Sequence, residues 1–371
     1  MPVFIHDIAT AVPETAYRQD FLRDVMLRQF EGRAQTQKLV RRIYDRSGIE
    51  RRHSVVKDLD GETDTFLLFD REQGALTPGT AARNAVYVEA ARRLALDVGH
   101  GLLGGAGFRA GDVTHLITVS CTGCAAPGFD YALMRGLGLP ASTHRYHVGF
   151  MGCFAAFQAM QMADAFCRAD PDAVVLAVCV EVCTIHLQLD ETPDHLVSGA
   201  VFADGAAGFL ASARPPERSA GGYRIEALAS ALSDDGERDM VWTLGDTGFE
   251  IGLSRYVPAL LASHLAEVLE PLRPLFDDDR DRAQWAVHPG GRAILDKVED
   301  ALVLDPAQLA ASRHVLARYG NMSSATILFV LRELFDSADD DGAAPVVAMA
   351  FGPGLTIESG LLTRLARGRV Q

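Results

Sequence analysis

Nowhere in the sequence do eighteen apolar residues run together, so no segment reads as a membrane-spanning helix. The amino terminus lacks the basic start, apolar middle and small-residue cleavage site of a secretory leader. "MPVFIHDIATAVPE" is expected to form a first strand and turn instead. Cysteine is sparse: six in 371 residues do not make a disulfide framework. These absences lead to the expectation of a cytoplasmic protein with reduced thiols. Positive charge is short as well. A formal net charge of −14 argues against broad nucleic-acid binding, which needs a basic surface. An anionic ligand would then need a local basic patch. "KLVRRIYDRSGIERR" (38–52) is one, with Lys38, Arg41, Arg42, Arg46, Arg51 and Arg52 against Asp45 and Glu50. It reads equally as a solvated helix face and as a dock for phosphates.

What is present is material for a large core. The chain is 48% hydrophobic and 23% charged, and its length allows two domains or one fold of two similar halves. Apolar runs rich in Val, Ala and Ile are expected to be strands: "HLITVSC" (115–121), "AVVLAVCVEVC" (173–183), "FADGAAGFLASA" (202–213), "QWAVHP" (284–289) and "APVVAMAFG" (344–352). Helical spacing marks "AARNAVYVEAARRLALDVG", "CFAAFQAMQMADAFCRA", "YVPALLASHLAEVLEPL", "RAILDKVEDAL" and "SSATILFVLRELFDSA". Continuous apolar strands between helices imply sheets covered on both faces, an α/β architecture. "SARPPERSAGG" (212–222) is the best boundary, dividing the chain into 1–213 and 214–371. "DDDRDR" and "DSADDDGAAP" read as solvated acidic loops without assigned function. "HVGFMGCFAAFQAM" and "RYGNMSSATILFVL" each place a Gly-containing turn before a helix, and glycine-rich hairpins ("FADGAAGF", "FGPGLTIE") follow further on, a faint echo of duplication.

Cys153 follows Gly152 and opens a helical run. It is either a small buried residue at a turn or a nucleophile, because a helix N-terminus favours thiolate over thiol. A nucleophilic cysteine usually has an imidazole partner. His288, in "WAVHPGG", ends an apolar strand, where sites gather in such sheets, although a histidine there is more often packed or capping. Asn321, in "YGNMSSA", is by default a helix N-cap; beside a Cys/His pair its amide is a neutral donor suited to an oxyanion.

The blocks "GFMGCFAAF", "WAVHPGGRAILDKVE", "RYGNMSSATILFVL" and "AFGPGLTIES", in this order and at these separations, resemble the type III polyketide synthases, the chalcone synthase-like family. The resemblance runs from "IATAVPE" to "GPGLTIES", and the bacterial type fits best. It implies the thiolase-like fold, two similar βαβαβ halves in a five-layer αβαβα arrangement, with the nucleophilic cysteine in the first half and the His and Asn in the second. It also implies a homodimer. Carried over, Cys153 accepts an acyl starter from coenzyme A, His288 keeps that cysteine ionised, and with Asn321 it holds malonyl-CoA and stabilises the enolate after loss of carbon dioxide. Neutral donors suit that step, because a carboxylate would oppose the charge that builds on the thioester oxygen. Phe202 matches an aromatic gate, and Arg42 and Arg46 lie where the family binds the coenzyme A phosphates, although Glu50 stands where a further basic residue is expected.

Other positions depart from the plant enzymes. "CTGCAAPG" is shorter than their loop. Its Cys121 and Cys124 form a CxxC with no second CxxC at zinc spacing, so lining of the cavity or a dimer contact is expected rather than a metal. Cys183 and His186 fall where threonines shape the cavity, Cys183 being reminiscent of bacterial tetrahydroxynaphthalene synthases. Trp242 replaces a volume-controlling glycine, Ile251 a second gate phenylalanine, and Ala350 the first glycine of the cavity-moulding loop that includes Gly352 and Pro353. The expected reaction is decarboxylative condensation of an acyl-CoA starter with malonyl-CoA, then ring closure, with no metal, nicotinamide or other cofactor. A fatty acyl starter giving an alkylpyrone or alkylresorcinol is the preferred expectation, with Ile251, Gly123, Ala125 and Ala126 leaving an apolar groove. The alternatives are a malonyl-only tetrahydroxynaphthalene-type synthase, a ketosynthase III-like single condensation on acyl carrier protein, and a non-catalytic acyl-CoA binding protein.

Overall fold

The computed structural model describes residues 1–59, 67–70, 74–105, 107–216, 221–233, 236–254, 256–276, 282–337 and 342–366. The boundary residues 217–220, and most of the acidic stretches at 277–281 and 338–341, lie outside them. In the first part of the chain the elements are β1 (Val3–Ala11), β2 (Ala16–Arg18), α1 (Gln19–Gln29), α2 (Ala34–Asp45), β3 (Arg51–His53), β4 (Phe69–Asp70), β5 (Gly74–Ala75) and α3 (Thr80–Gly105). They continue through β6 (His115–Ser120), α4 (Phe129–Gly136), β7 (His144–Gly149), α5 (Ala155–Ala169), β8 (Val174–Val182), α6 (Pro193–Val201) and β9 (Asp204–Ser212). The second part holds β10 (Gly222–Leu232), β11 (Met240–Gly245), β12 (Gly248–Leu253), α7 (Val257–Leu269), β13 (Gln284–Val287), α8 (Arg292–Leu302), α9 (Ala310–Tyr319), α10 (Thr326–Asp336), β14 (Ala344–Gly352) and β15 (Thr356–Leu365).

Nine strands form one sheet in the order β13-β14-β15-β10-β1-β9-β8-β6-β7. Its seam is the short antiparallel pairing of β1 with β10, Val3↔Ile225 to Ile5↔Tyr223. Outward from the seam the two sides repeat. β1–β9 and β9–β8 are antiparallel and β8–β6 parallel; β10–β15 and β15–β14 are antiparallel and β14–β13 parallel. The echo between "HVGFMGC" and "RYGNMSS" is therefore a repeated half, with α5 and α10 in matching places. One detail of that echo differs: "FADGAAGF" is not a hairpin but the start of β9, which α6 separates from its partner β8.

The period-2 alternation of the strands then generates the layers. On β8, Val174, Leu176, Val178, Val180 and Val182 pack against α3, while Val175, Ala177 and Cys179 face α5 and α10. On β14, Val347, Met349 and Phe351 pack with α7 and α8, while Val346, Ala348 and Ala350 face the same central helices. The result is αβαβα. The run Ile327, Leu328, Phe329, Val330 and Leu331 makes the first turns of α10 apolar all round, which is why they sit in the middle layer with α5, while Arg332, Glu333 and Asp336 reach the surface at its end. Among the described residues no helix is long and apolar enough to cross a membrane.

Candidate active site

The loop after β7 delivers Cys153 to the centre of the molecule. Gly152 has φ +84°, and a Cβ there would fall 2.4 Å from Cδ of Pro353, so only glycine allows this turn to meet the β14–β15 turn. The Ala155 amide donates to the Gly152 carbonyl at 3.1 Å, and α5 begins at Ala155. Cys153 therefore stands in the turn leading into the helix, two residues before its first full turn. From the other half, His288 prolongs β13: its amide donates to the Met349 carbonyl at 2.8 Å. The imidazole is 1% exposed, and neither ring nitrogen has a hydrogen-bond partner among the described residues. Asn321 is not the N-cap of α10, which starts five residues later. Its backbone bridges to Val201 and Ala203, its Oδ1 accepts from the Ser323 amide at 2.9 Å, and its Nδ2 donates to the Gly290 carbonyl at 3.2 Å.

These three side chains line one cavity of about 440 Å³, together with Arg46, Cys183, Phe202, Trp242, Ile251 and Pro353. The remaining expected residues are elsewhere. His186 lies behind Trp242, ring centroids 5.6 Å apart, and both its nitrogens are occupied. Its Nε2 donates to the Thr122 carbonyl at 2.7 Å, and its Nδ1 accepts from the Phe249 amide at 3.0 Å. Cys124 is exposed, and its backbone is tied to Asn84. Gly352 is buried against Phe154, 2.4 Å from where a Cβ would point, and Arg42 is exposed on α2, away from the lining. The groove expected at Gly123, Ala125 and Ala126 is absent: the Tyr87 ring fills the space beside Gly123, and the two alanines face outward.

Two further groups were not singled out in the sequence. Arg292, directly after the His288 turn, lines the same cavity as Arg46 and packs on Gly48. Glu181 is fully buried beside the site. It accepts from the Cys121 amide at 3.1 Å, the Cys121 thiol at 3.3 Å, the Thr122 hydroxyl at 2.9 Å and the Ser324 hydroxyl. The signal was available: a lone carboxylate inside the apolar run "AVVLAVCVEVC" must be hydrogen-bonded where it is buried. The CxxC pair is also explained, since Cys121 belongs to this network and its thiol is 3.3 Å from the Ser323 hydroxyl.

Burial pushes the Cys153 thiol up to about 11; the Glu181 charge adds to this, while hydrogen bonds from Ser323 and Asn321 oppose it. Burial pulls the His288 imidazole down to about 3. Both shifts run toward the uncharged forms, thiol and neutral imidazole, and a thiolate forms when the thiol hands its proton to the ring. A neutral imidazole and a neutral amide beside a thiol suit acyl transfer in which negative charge develops on a thioester oxygen.

Within a fold of two repeated halves around buried central helices, that chemistry defines a condensing acyltransferase of the thiolase-like class. The chain belongs to the chalcone and stilbene synthase family: the profile of the family's N-terminal domain matches residues 2–215 and that of its C-terminal domain residues 228–366. It is a type III polyketide synthase. It is 32% identical over 369 residues to the "Alpha-pyrone synthesis polyketide synthase-like Pks18" of Mycobacterium tuberculosis, covering 98% of this chain and 91% of that protein. It is 29% identical over 363 residues to "Probable polyketide synthase 1" of Dictyostelium discoideum, 96% of this chain but only 11% of that much longer protein. Among solved structures it resembles the C-terminal type III domain of Steely1 from Dictyostelium, with TM-score 0.90, 27% identity and coverage of 99% and 100%. The 1,3,6,8-tetrahydroxynaphthalene synthase of Streptomyces coelicolor A3(2) follows, with TM-score 0.86, 29% identity and coverage of 98% and 99%.

Proposed function

We propose that the protein loads a fatty acyl group from coenzyme A onto Cys153, extends it with malonyl-CoA and closes the product to an alkylpyrone or alkylresorcinol. The observation that carries this reading is the pair of His288 ring nitrogens, without a hydrogen-bond partner among the described residues, on the cavity shared with Cys153 and Asn321. In loading, the Cys153 sulfur attacks the starter carbonyl as its proton passes to His288, which returns that proton to the departing coenzyme A thiolate. Malonyl-CoA then loses carbon dioxide while its thioester oxygen takes hydrogen bonds from the Asn321 amide and the His288 ring. The resulting carbanion attacks the Cys153 thioester and frees the thiolate. Arg46 and Arg292 on the cavity wall supply charge for the coenzyme A phosphates; Arg42 is left as a more distant contributor. The substrates are then coenzyme A thioesters alone.

The similarity to a mycobacterial protein named for alpha-pyrone synthesis favours the pyrone outcome. The tetrahydroxynaphthalene synthase likeness supports a second reading, in which malonyl-CoA alone gives a naphthol. A homodimer is part of the proposal, because β7 is one of the two outer edges of the sheet and Tyr131, Tyr146, Phe150 and Met151 are exposed beside it. Mass spectrometry of products from purified protein, malonyl-CoA and a panel of acetyl, fatty and aromatic acyl-CoA starters tests the reaction. The expected result is pyrones or resorcinols that disappear in Cys153→Ala. Naphthols from malonyl-CoA alone would establish the second reading. A single 3-ketoacyl product formed only with acyl carrier protein would overturn both.

A further inference from the structure

Phe202 and Asn321 are joined across the two halves by a lone backbone bridge. The Ala203 amide donates to the Asn321 carbonyl at 2.8 Å, and the Asn321 amide to the Val201 carbonyl at 2.9 Å. The Phe202 carbonyl takes no part in that bridge; it accepts from the guanidinium of Arg52, on β3. Arg52 is 5% exposed, and its Nε donates to Gln19 Oε1 at 3.0 Å. Gln19 is itself fixed, because its Nε2 donates to the Ser47 hydroxyl at 3.2 Å and to the Ala200 carbonyl at 2.8 Å. The Tyr44 hydroxyl also faces the guanidinium. The Arg52 stem lies against the residue directly before Asn321. A Cβ on Gly320, at φ +74°, would fall 2.9 Å from Arg52 Cγ and 3.0 Å from its Cδ, so glycine is what admits the stem.

We propose that Arg52 is a positioning residue for Asn321, acting through the Phe202 carbonyl and the bridge to aim the Asn321 amide at the malonyl thioester oxygen. The inference rests on the function proposed above and adds what fixes one of its two donors. Stability does not account for the buried cation. Among the described residues no carboxylate lies within ion-pair distance of Arg52. Asp204, whose charge reaches it from further off, is taken up by the Val55 amide and by the amide and hydroxyl of Thr184. A buried guanidinium without an ion-pair partner is costly, and an apolar side chain of similar length fills such a space at less cost. What the apolar chain lacks is the rigid fork that holds the Gln19 and Phe202 oxygens at a set separation. Cys153 and His288 are held by other contacts: Gly152 turns against Pro353, and the His288 amide bonds the Met349 carbonyl. Loading of Cys153 and decarboxylation of malonyl-CoA should therefore respond differently to loss of the guanidinium.

Arg52→Met in the full chain tests this with two rates: acylation of Cys153 by dodecanoyl-CoA, followed by intact-protein mass spectrometry, and release of carbon dioxide from malonyl-CoA. Decarboxylation kcat should fall about tenfold, with the acylation rate and KM for malonyl-CoA little changed. Arg52→Lys, which keeps one donor, should recover part of the loss. Gln19→Met, which removes the second anchor and spares the cation, should give the same pattern at smaller size. In an Asn321→Ala background Arg52→Met should cost nothing further, because the group it positions is gone. The same fractional loss with and without Asn321, or a parallel fall in both rates, would overturn the proposal. Hydrogen exchange of the Ala203 and Asn321 amides supplies a readout without turnover and should quicken at least tenfold in Arg52→Met. Quickened exchange alongside a wild type that neither acylates nor decarboxylates would sink the proposed reaction and leave the anchor standing. Unchanged exchange would remove the anchor.

Discussion

Cys153 and His288 are driven apart in proton affinity by the same cause. Each loses water on burial, which penalises thiolate on one side and imidazolium on the other. Alkylation of Cys153 by iodoacetamide in the unliganded protein should therefore climb about tenfold per pH unit between pH 7 and 9, the rise in thiolate fraction for a thiol held near 11. Rates read peptide by peptide would reveal a plateau below pH 8 if the two groups instead rest as an ion pair. His288 also makes a stability prediction. Its pKa is about 3 in the folded state against 6.5 in the unfolded chain, so between these values the unfolded state binds the extra proton. Its contribution is intact above pH 6.5 and is lost as the pH falls toward 3. His288→Gln lacks that loss. Relative to the variant, wild type should lose ~1.4 kcal/mol per pH unit between pH 6 and 4, measured by urea unfolding at each pH. Parallel pH curves would show that the ring is hydrated in solution. His288 and Asn321 were legible because they sit at strand and helix ends with turn residues around them. His186 stands one layer back from the Cys153 cavity, on the adjoining cavity behind Trp242, because its partners Thr122 and Phe249 lie more than 60 residues away on either side, beyond any local pattern.

At the scale of elements, the candidate site is assembled where pieces of both halves end: the turn before α5, the end of β13, and the turn before α10. The basic contribution is split in the same way. Arg46 follows α2 of the first half, and Arg292 opens α8 of the second, packed over Gly48. Arg46→Ala and Arg292→Ala should each raise KM for malonyl-CoA several-fold with kcat little changed, since the phosphates are far from the reacting carbon. The effect should shrink in high salt, because both guanidinium groups are exposed to solvent. A fall in kcat at unchanged KM would place either arginine in the chemistry instead. Elements that are apolar throughout were readable in the sequence: β6, β8, β9, β13, β14, α5 and α10 fall within a few residues of the runs that announced them. β7 and β10 were not. β7, "HRYHVG", is almost wholly exposed, and β10 mixes Arg224 and Glu226 into a half-buried strand, so neither shows the continuous run of a covered strand. The β11–β12 hairpin escaped for a related reason, since it belongs to no large sheet and its apolar side chains line cavities rather than a packed layer.

For the molecule as a whole, the sheet ends in an edge that asks for a partner. β7 carries six residues whose outer hydrogen-bonding groups have no neighbouring strand among the described residues, and natural proteins seldom leave such an edge open. Its surroundings are aromatic. Tyr146 on β7 meets Phe166 at a tilt, ring centroids 5.1 Å apart, Tyr131 projects from α4, and Phe150 and Met151 follow the strand into the turn that carries Cys153. A second copy applied across a two-fold axis would continue the sheet antiparallel and cover all four side chains, an isologous contact of the commonest kind. Because Phe150 and Met151 immediately precede Gly152 and Cys153, the same contact would brace the turn proposed to carry the nucleophile, coupling assembly to activity. The protein is accordingly expected to elute in light-scattering chromatography at twice its 40.0 kDa chain mass. Tyr146→Asp combined with Phe150→Asp should yield monomers whose turnover is reduced at least tenfold, while circular dichroism shows the fold retained. Monomeric wild type, or a dimer indifferent to both substitutions, would mean that β7 is protected in another way and that the turn holding Cys153 is rigid within one chain.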